Sequence, residues 1–148
     1  FGHNIKEEIK IPDVNVWLDT YGGTCYQGYA IHDMLIMLNN HCKTNITATG
    51  ACMSAGICIL LSVPYEQRFA TKNTTFLIHQ ASSVAIGKTA DLEDDVKEAK
   101  RLTEMIYKLI IEETAITRKE LEDNYAIKKD WILTSEEALK LKIISKII

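Results

Sequence analysis

Proline is nearly absent from this chain: Pro12 and Pro64 are the two among 148 residues, and neither sits in a polar stretch. No repeat and no low-complexity segment breaks the sequence, so nothing marks a linker and residues 1–148 read as a single domain with a sizeable core. Long apolar runs are also missing. The longest, 57–63 with one serine inside, falls far short of the ~20 residues that cross a bilayer, so no membrane segment is expected. Charge of one sign is not concentrated anywhere. The net charge is −3, and no basic cluster interleaves with aromatics, which argues against nucleic acid as a partner. Cysteines number four (Cys25, Cys42, Cys52 and Cys58) and none forms a CxxC pair. They read as small buried hydrophobes in a reducing compartment rather than as disulfides. No His/Cys/Asp group has metal-ligand spacing, and no cofactor is expected. The triplets Asn45-Ile46-Thr47 and Asn73-Thr74-Thr75 match a glycosylation pattern that arises by chance. No secretory signal is visible, and the first residue is Phe1 rather than Met, which suggests a missing N-terminal segment.

What is present alternates between two periods. Residues 14–18 read as a strand, broken by Tyr21-Gly22-Gly23. Residues 26–38 carry Tyr29, Ala30, Met34, Met37 and Leu38 at helical spacing. A second strand runs over 44–49, and 55–61 is an almost wholly apolar helix, expected to be buried all round. Segments 67–71 and 75–78 bracket Lys72-Asn73, which reads as a hairpin-type turn. A long helix spans 91–113. Acidic residues fill its first turns, an apolar stripe includes Leu92, Val96, Leu102 and Ile106, and Glu93–Lys97 and Glu104–Lys108 are expected as i,i+4 pairs. Thr117-x-x-Glu120 and Thr134-x-x-Glu137 are capping boxes, each opening a short helix, and 143–148 is a closing strand. Trp17 and Trp131 read as core; His3, His32 and His41 read as surface or structural. Alternating strands and helices predict an α/β fold with mainly parallel sheet.

Chemistry concentrates in three places. Ser54 lies in a run of small residues, 49–56, between the second strand and the apolar helix. A serine at such a tight turn stands at a helix N-terminus, where unpaired N–H groups favour negative charge. That suits acyl transfer, which needs an exposed nucleophile beside donors for an oxyanion. Yet a serine in this position is ordinarily only a helix cap. His79 ends the strand 75–78, and Asp130 follows 51 residues later. Serine, histidine and acid in that order are the parts of a triad. Asp130 is preferred over Glu120, Glu122 and Asp123, which also fit plain surface charge, because the run 131–133 and the second capping box set its register. An α/β-hydrolase is excluded, since it runs serine, acid, histidine and wants glycine where Cys52 stands.

From Tyr21 onward the chain resembles the proteolytic subunit of Clp protease, the ClpP family. Thr20-Tyr21-Gly22-Gly23 resembles the family's Ser-Pro-Gly-Gly turn, and Tyr29-Ala30-Ile31-His32-Asp33 the helix start after it. Met53-Ser54-Ala55-Gly56 resembles the nucleophile turn, Phe76-Leu77-Ile78-His79-Gln80 the histidine strand, and Asp130 with 134–139 the acid and its following helix. The resemblance implies a ClpP/crotonase-like fold: stacked βαβ units with a protruding handle, here about 81–113. It implies a serine endopeptidase that cleaves unfolded polypeptides through an acyl-enzyme. Ser54 is then the nucleophile, His79 the base and Asp130 the orienting acid. The backbone N–H groups of Gly23 and Ala55 form the oxyanion hole. It further implies a homo-oligomer of heptameric rings, stacked as a tetradecamer, with an AAA+ unfoldase as partner, in the cytoplasm or in an organelle matrix. The departures are Tyr21 and Ala81 where the family has proline, and Ser82-Ser83-Val84-Ala85 where the handle has a glycine pair. Only about 20 residues precede the Gly-Gly turn, so the family's N-terminal elements are expected to be short or missing. A phage head-maturation protease with the same triad, a non-catalytic ring subunit and an acyl-CoA enzyme of the crotonase superfamily are the rival readings.

Overall fold

The computed structural model describes residues 11–127 and 130–148. His3 therefore lies outside the described residues. Chain order is β1 (Val14–Thr20), α1 (Cys25–Asn39), β2 (Thr44–Met53), α2 (Ala55–Leu60), β3 (Arg68–Ala70), β4 (Thr75–Ile78), α3 (Thr89–Glu113), α4 (Arg118–Ala126), β5 (Trp131–Leu133), α5 (Ser135–Lys140) and β6 (Lys146–Ile147). The α/β expectation holds, and every strand pairing but β4 with β5 is parallel among the described residues.

Strand β2 is the hub. β1 runs parallel to it from Val14↔Thr44, with a register shift between Leu18 and Thr20. β2 also holds two successive partners: β3 at 46–48 and β4 at 51–53, both parallel. The change falls at Gly50, whose φ of +54° lies in the region that favours glycine. Beside it, Asp19 Oδ1 accepts from the Ala51 N–H at 2.9 Å, filling the gap the shift opens in the ladder. The hairpin expected around Lys72-Asn73 is therefore not there. The turn exists, with Thr74 N–H donating to Thr71 O at 3.1 Å, but its flanking strands pair with β2 and not with each other.

The core packs Ile46, Ala48, Cys52, Phe76 and Ile110 with α2, all of whose residues are buried as expected. Each such aliphatic side chain contributes roughly 1.5–3 kcal/mol of transfer free energy. Helix α1 departs from expectation. Its buried residues are Gly28 and His32, while Met34 and Met37 are 65% and 58% exposed. Trp17, expected in the core, is 66% exposed on β1; Trp131 is half-buried against the core. His41 is on the surface. All four cysteines are free, Cys52 and Cys58 buried and the other two half-buried. The closing strand contracts to β6.

Helix α3 begins two residues earlier than read, with Asp91 accepting from the Lys88 N–H at 3.2 Å. Its expected i,i+4 pairs are replaced. Glu104 binds Arg118 on α4 at 2.8 Å, Glu98 binds Arg101, and Lys108 faces Glu112. Both capping boxes form as read. Thr117 and Thr134 accept from the N3 amides, and Glu120 and Glu137 accept from the cap amides at 2.8 Å. Those bonds hold both carboxyls below the ordinary range, so the boxes weaken as pH falls through the lowered values. Thr134→Ala is expected to cost about 1 kcal/mol, read as a lower midpoint in urea denaturation.

Candidate active site

Three parallel strands end side by side, and the site forms beyond their C-terminal ends, where open α/β sheets place ligands. β2 ends at Met53, so Ser54 follows directly. β4 pairs Leu77 with Met53, which brings His79 level with Ser54. β1 ends at Thr20, so the Tyr21–Thr24 turn arrives at the same edge.

Ser54 has φ 55° and ψ −121°, a combination that costs a non-glycine residue on the order of 1–3 kcal/mol. The surroundings hold it there. Its N–H donates to Leu77 O at 2.9 Å and its carbonyl accepts from Ile57 N–H at 3.0 Å. It is the N-cap residue of α2, yet its side chain makes no capping bond. Instead Oγ lies 2.7 Å from His79 Nε2. A plain cap would turn its oxygen to the helix amides. This one gives up that bond and faces an imidazole.

The turn after β1 presses on the serine. Gly22 has φ +106°, and a Cβ there would lie 2.6 Å from Ser54 Cβ and 2.9 Å from Met53 O. No other residue type fits this approach without moving the serine. Among the described residues, neither the Gly23 N–H nor the Ala55 N–H has a protein partner. One of these amides follows the Gly22 that presses on Ser54, and the other follows Ser54 itself at the helix N-terminus.

Asp130 is exposed, on the segment leading into β5. With His79, Asn124, Tyr125 and Trp131 it lines a cavity of about 40 Å³, enough for one water. Among the described residues it makes no hydrogen bond to the His79 ring. The structure thus pairs Ser54 with His79 and puts Asp130 across a small gap from that ring.

Beside Ser54 and His79 opens a larger cavity of about 300 Å³. Ile57, Ile78, Leu102, Ile106 and Ile110 make it apolar, and Tyr26, Asp95 and Glu98 contribute polar groups. Its apolar wall follows from the stripe of α3, which was legible in the sequence. The pairing of Tyr26 with Glu98 across 72 residues was not, because no local signal links them. Cys25 also lines this cavity, and burial pushes its thiol pKa up. Among the described residues no cluster of His, Cys, Asp and Glu could hold a metal ion, and no helix is long and apolar enough to cross a membrane.

Comparison with known proteins bears on the family and the fold. The family model described as Clp protease matches residues 4–148. The ATP-dependent Clp protease proteolytic subunit 3 of Rhizobium etli is 29% identical over 136 residues, covering 92% of this chain and 68% of the relative. Subunit 2 of Treponema denticola is 32% identical over 134 residues, covering 90% and 65%. Among solved structures, a ClpP1 mutant from Listeria monocytogenes superposes with a TM-score of 0.77 at 30% identity, over 92% of this chain and 73% of that one. The fold is accordingly the ClpP/crotonase-like α/β fold.

Proposed function

The chain belongs to the Clp protease family and is a Clp-type peptidase, and from that premise we propose that it is a serine endopeptidase acting on unfolded polypeptides. The observation that carries this reading is the 2.7 Å approach of Ser54 Oγ to His79 Nε2, made at the expense of the helix cap. His79 Nε2 takes the hydroxyl proton as Ser54 attacks the scissile carbonyl. The oxyanion settles against the N–H groups of Gly23 and Ala55. His79 then protonates the leaving amine, and water, activated by the same ring, hydrolyses the acyl-enzyme. Asp130, once engaged with His79 directly or through a water in the small cavity, orients the ring and stabilises its cation. The apolar cavity beside Ser54 takes an apolar substrate side chain.

The handle reading, about 81–113 of a single domain, is supported by Val84 and Ile86, 94% and 96% exposed, and by the exposed Val96 on α3. Apolar surface of this kind suits association of copies into heptameric rings stacked as a tetradecamer. An AAA+ unfoldase that spends the ATP completes the proposal, and the four free thiols fit a reducing cytoplasm or organelle matrix. A non-catalytic or resting ring subunit is the second reading, favoured by the gap between His79 and Asp130. A fluorophosphonate probe followed by peptide mapping separates the two. Modification at Ser54 is the expected result; no modification in any assembled form, as sized by native mass spectrometry, overturns the enzyme. A persistent monomer overturns the chamber.

A further inference from the structure

We infer that Tyr26, Glu98 and Arg101 form a crossbar over the catalytic cavity that selects which substrate side chains enter it. This rests on the reading of that cavity as the place where a substrate side chain lies. Tyr26 stands in the first turn of α1, and Glu98 stands on α3. Both line the cavity, so the bond between them joins two of its walls. Tyr26 Oη donates to Glu98 Oε1 at 2.7 Å. Arg101 forks onto the same carboxylate, Nε to Oε2 and Nη2 to Oε1, both at 2.7 Å. Its Nη1 lies 3.0 Å from Met105 Sδ.

Position makes this bar a rim and not a floor. Tyr26 is 60% exposed, whereas Ile57 and Ile110 deeper in the cavity are almost wholly buried. The cavity itself is as large as the smaller pockets that take drug-sized ligands. Volume therefore does not limit the side chain; passage beneath or through the bar does. Glu98 is ionised at neutral pH, because Arg101 and the Tyr26 hydroxyl hold its carboxyl down at about 2, so it accepts from both. It is also displaceable, since exposed pairs of this kind are weak individually. A slim aliphatic side chain passes under it. A bulky aromatic one must break the Tyr26–Glu98 bond and leave a charged group without one partner.

The test compares peptides that differ only in the residue before the scissile bond, leucine against tryptophan. Tyr26→Phe keeps the ring and removes the hydroxyl. It is expected to raise the tryptophan-to-leucine ratio of kcat/KM about two- to fivefold, the effect of one exposed contact. Glu98→Gln, which weakens both contacts, is expected to shift the ratio the same way. Cys25 supplies a second readout that needs no proteolysis. Its labelling by a bulky maleimide, relative to a small methanethiosulfonate and located by peptide mapping, is expected to speed up in Tyr26→Phe. An unchanged substrate ratio in an active enzyme overturns the crossbar. If the protein shows no Ser54-dependent hydrolysis, the labelling ratio decides: a change upholds the crossbar while the peptidase reading fails, and no change overturns it.

Discussion

Ser54→Ala is expected to lower kcat for peptide hydrolysis by roughly a million-fold, to the residual rate that binding and the oxyanion amides alone supply. The reason is the single bond from Ser54 Oγ to His79 Nε2 at 2.7 Å. Neither member of such a pair works without the other, so the losses do not add. His79→Ala is expected to cost about as much, and the double variant no more than either. On the proposed mechanism, in which Asp130 engages His79 and orients the ring, Asp130→Asn is expected to cost less, about 10⁴. The assay is steady-state cleavage of a fluorogenic peptide by the assembled protein. Wild-type rates in Ser54→Ala sink the mechanism, and additive losses sink the claim that the two residues act together. A companion measurement uses the backbone. Ser54 holds φ 55°, which glycine adopts freely. Ser54→Gly is therefore expected to be inactive yet about 1 kcal/mol more stable than Ser54→Ala in urea denaturation. The strained conformation costs stability, and the pair of variants separates that cost from the role proposed for the hydroxyl.

Local features were legible in the sequence; partners distant along the chain were not. The two capping boxes need only a threonine and a glutamate three residues apart, and both form as read. The α2 helix is apolar on every side, so its burial followed from composition. Ser54 and His79 could be singled out, because a small-residue turn and a strand end each have a local signature. Their meeting depends on β4 joining β2 beyond Gly50, and that partner choice is where the hairpin reading failed. Turn residues at Lys72-Asn73 say that the chain reverses, not which strand it then pairs with. Met34, Met37 and Trp17 failed differently. Periodicity shows that a face is apolar; it does not say whether that face meets the chain's own core or another surface. The Glu104–Arg118 pair and the Tyr26–Glu98 bond join separate elements, and no spacing rule reaches across them.

Arg68→Met is expected to cost about 3–5 kcal/mol, the largest loss of stability from a single side chain outside the site. Arg68 is fully buried. Its Nε donates to Val63 O at 2.6 Å, Nη1 to Glu113 O at 2.8 Å and Nη2 to Leu61 O at 3.5 Å, while Nη2 also pairs with the Glu113 carboxylate. One guanidinium thus joins the chain after α2, the first residue of β3 and the last residue of α3. Burial pushes its pKa down, and the Glu113 carboxylate works against that fall. Replacing a buried ion pair by apolar groups is often harmless when both partners are replaced. Here the acceptors are mostly main-chain carbonyls, which no substitution removes, so those of Leu61 and Val63 are left buried and without this donor. Arg68→Lys is expected to fall between methionine and wild type, since an ammonium lacks the fork that reaches several acceptors at once. Glu113→Gln is expected to cost about 1 kcal/mol, because that side chain is 40% exposed and its carbonyl bond to Arg68 survives. In thermal unfolding at fixed protein concentration, 3–5 kcal/mol corresponds to a Tm lower by roughly 10 °C or more. A Tm for Arg68→Met within 2 °C of wild type would show that the three carbonyls find other donors and that α3 docks without this staple.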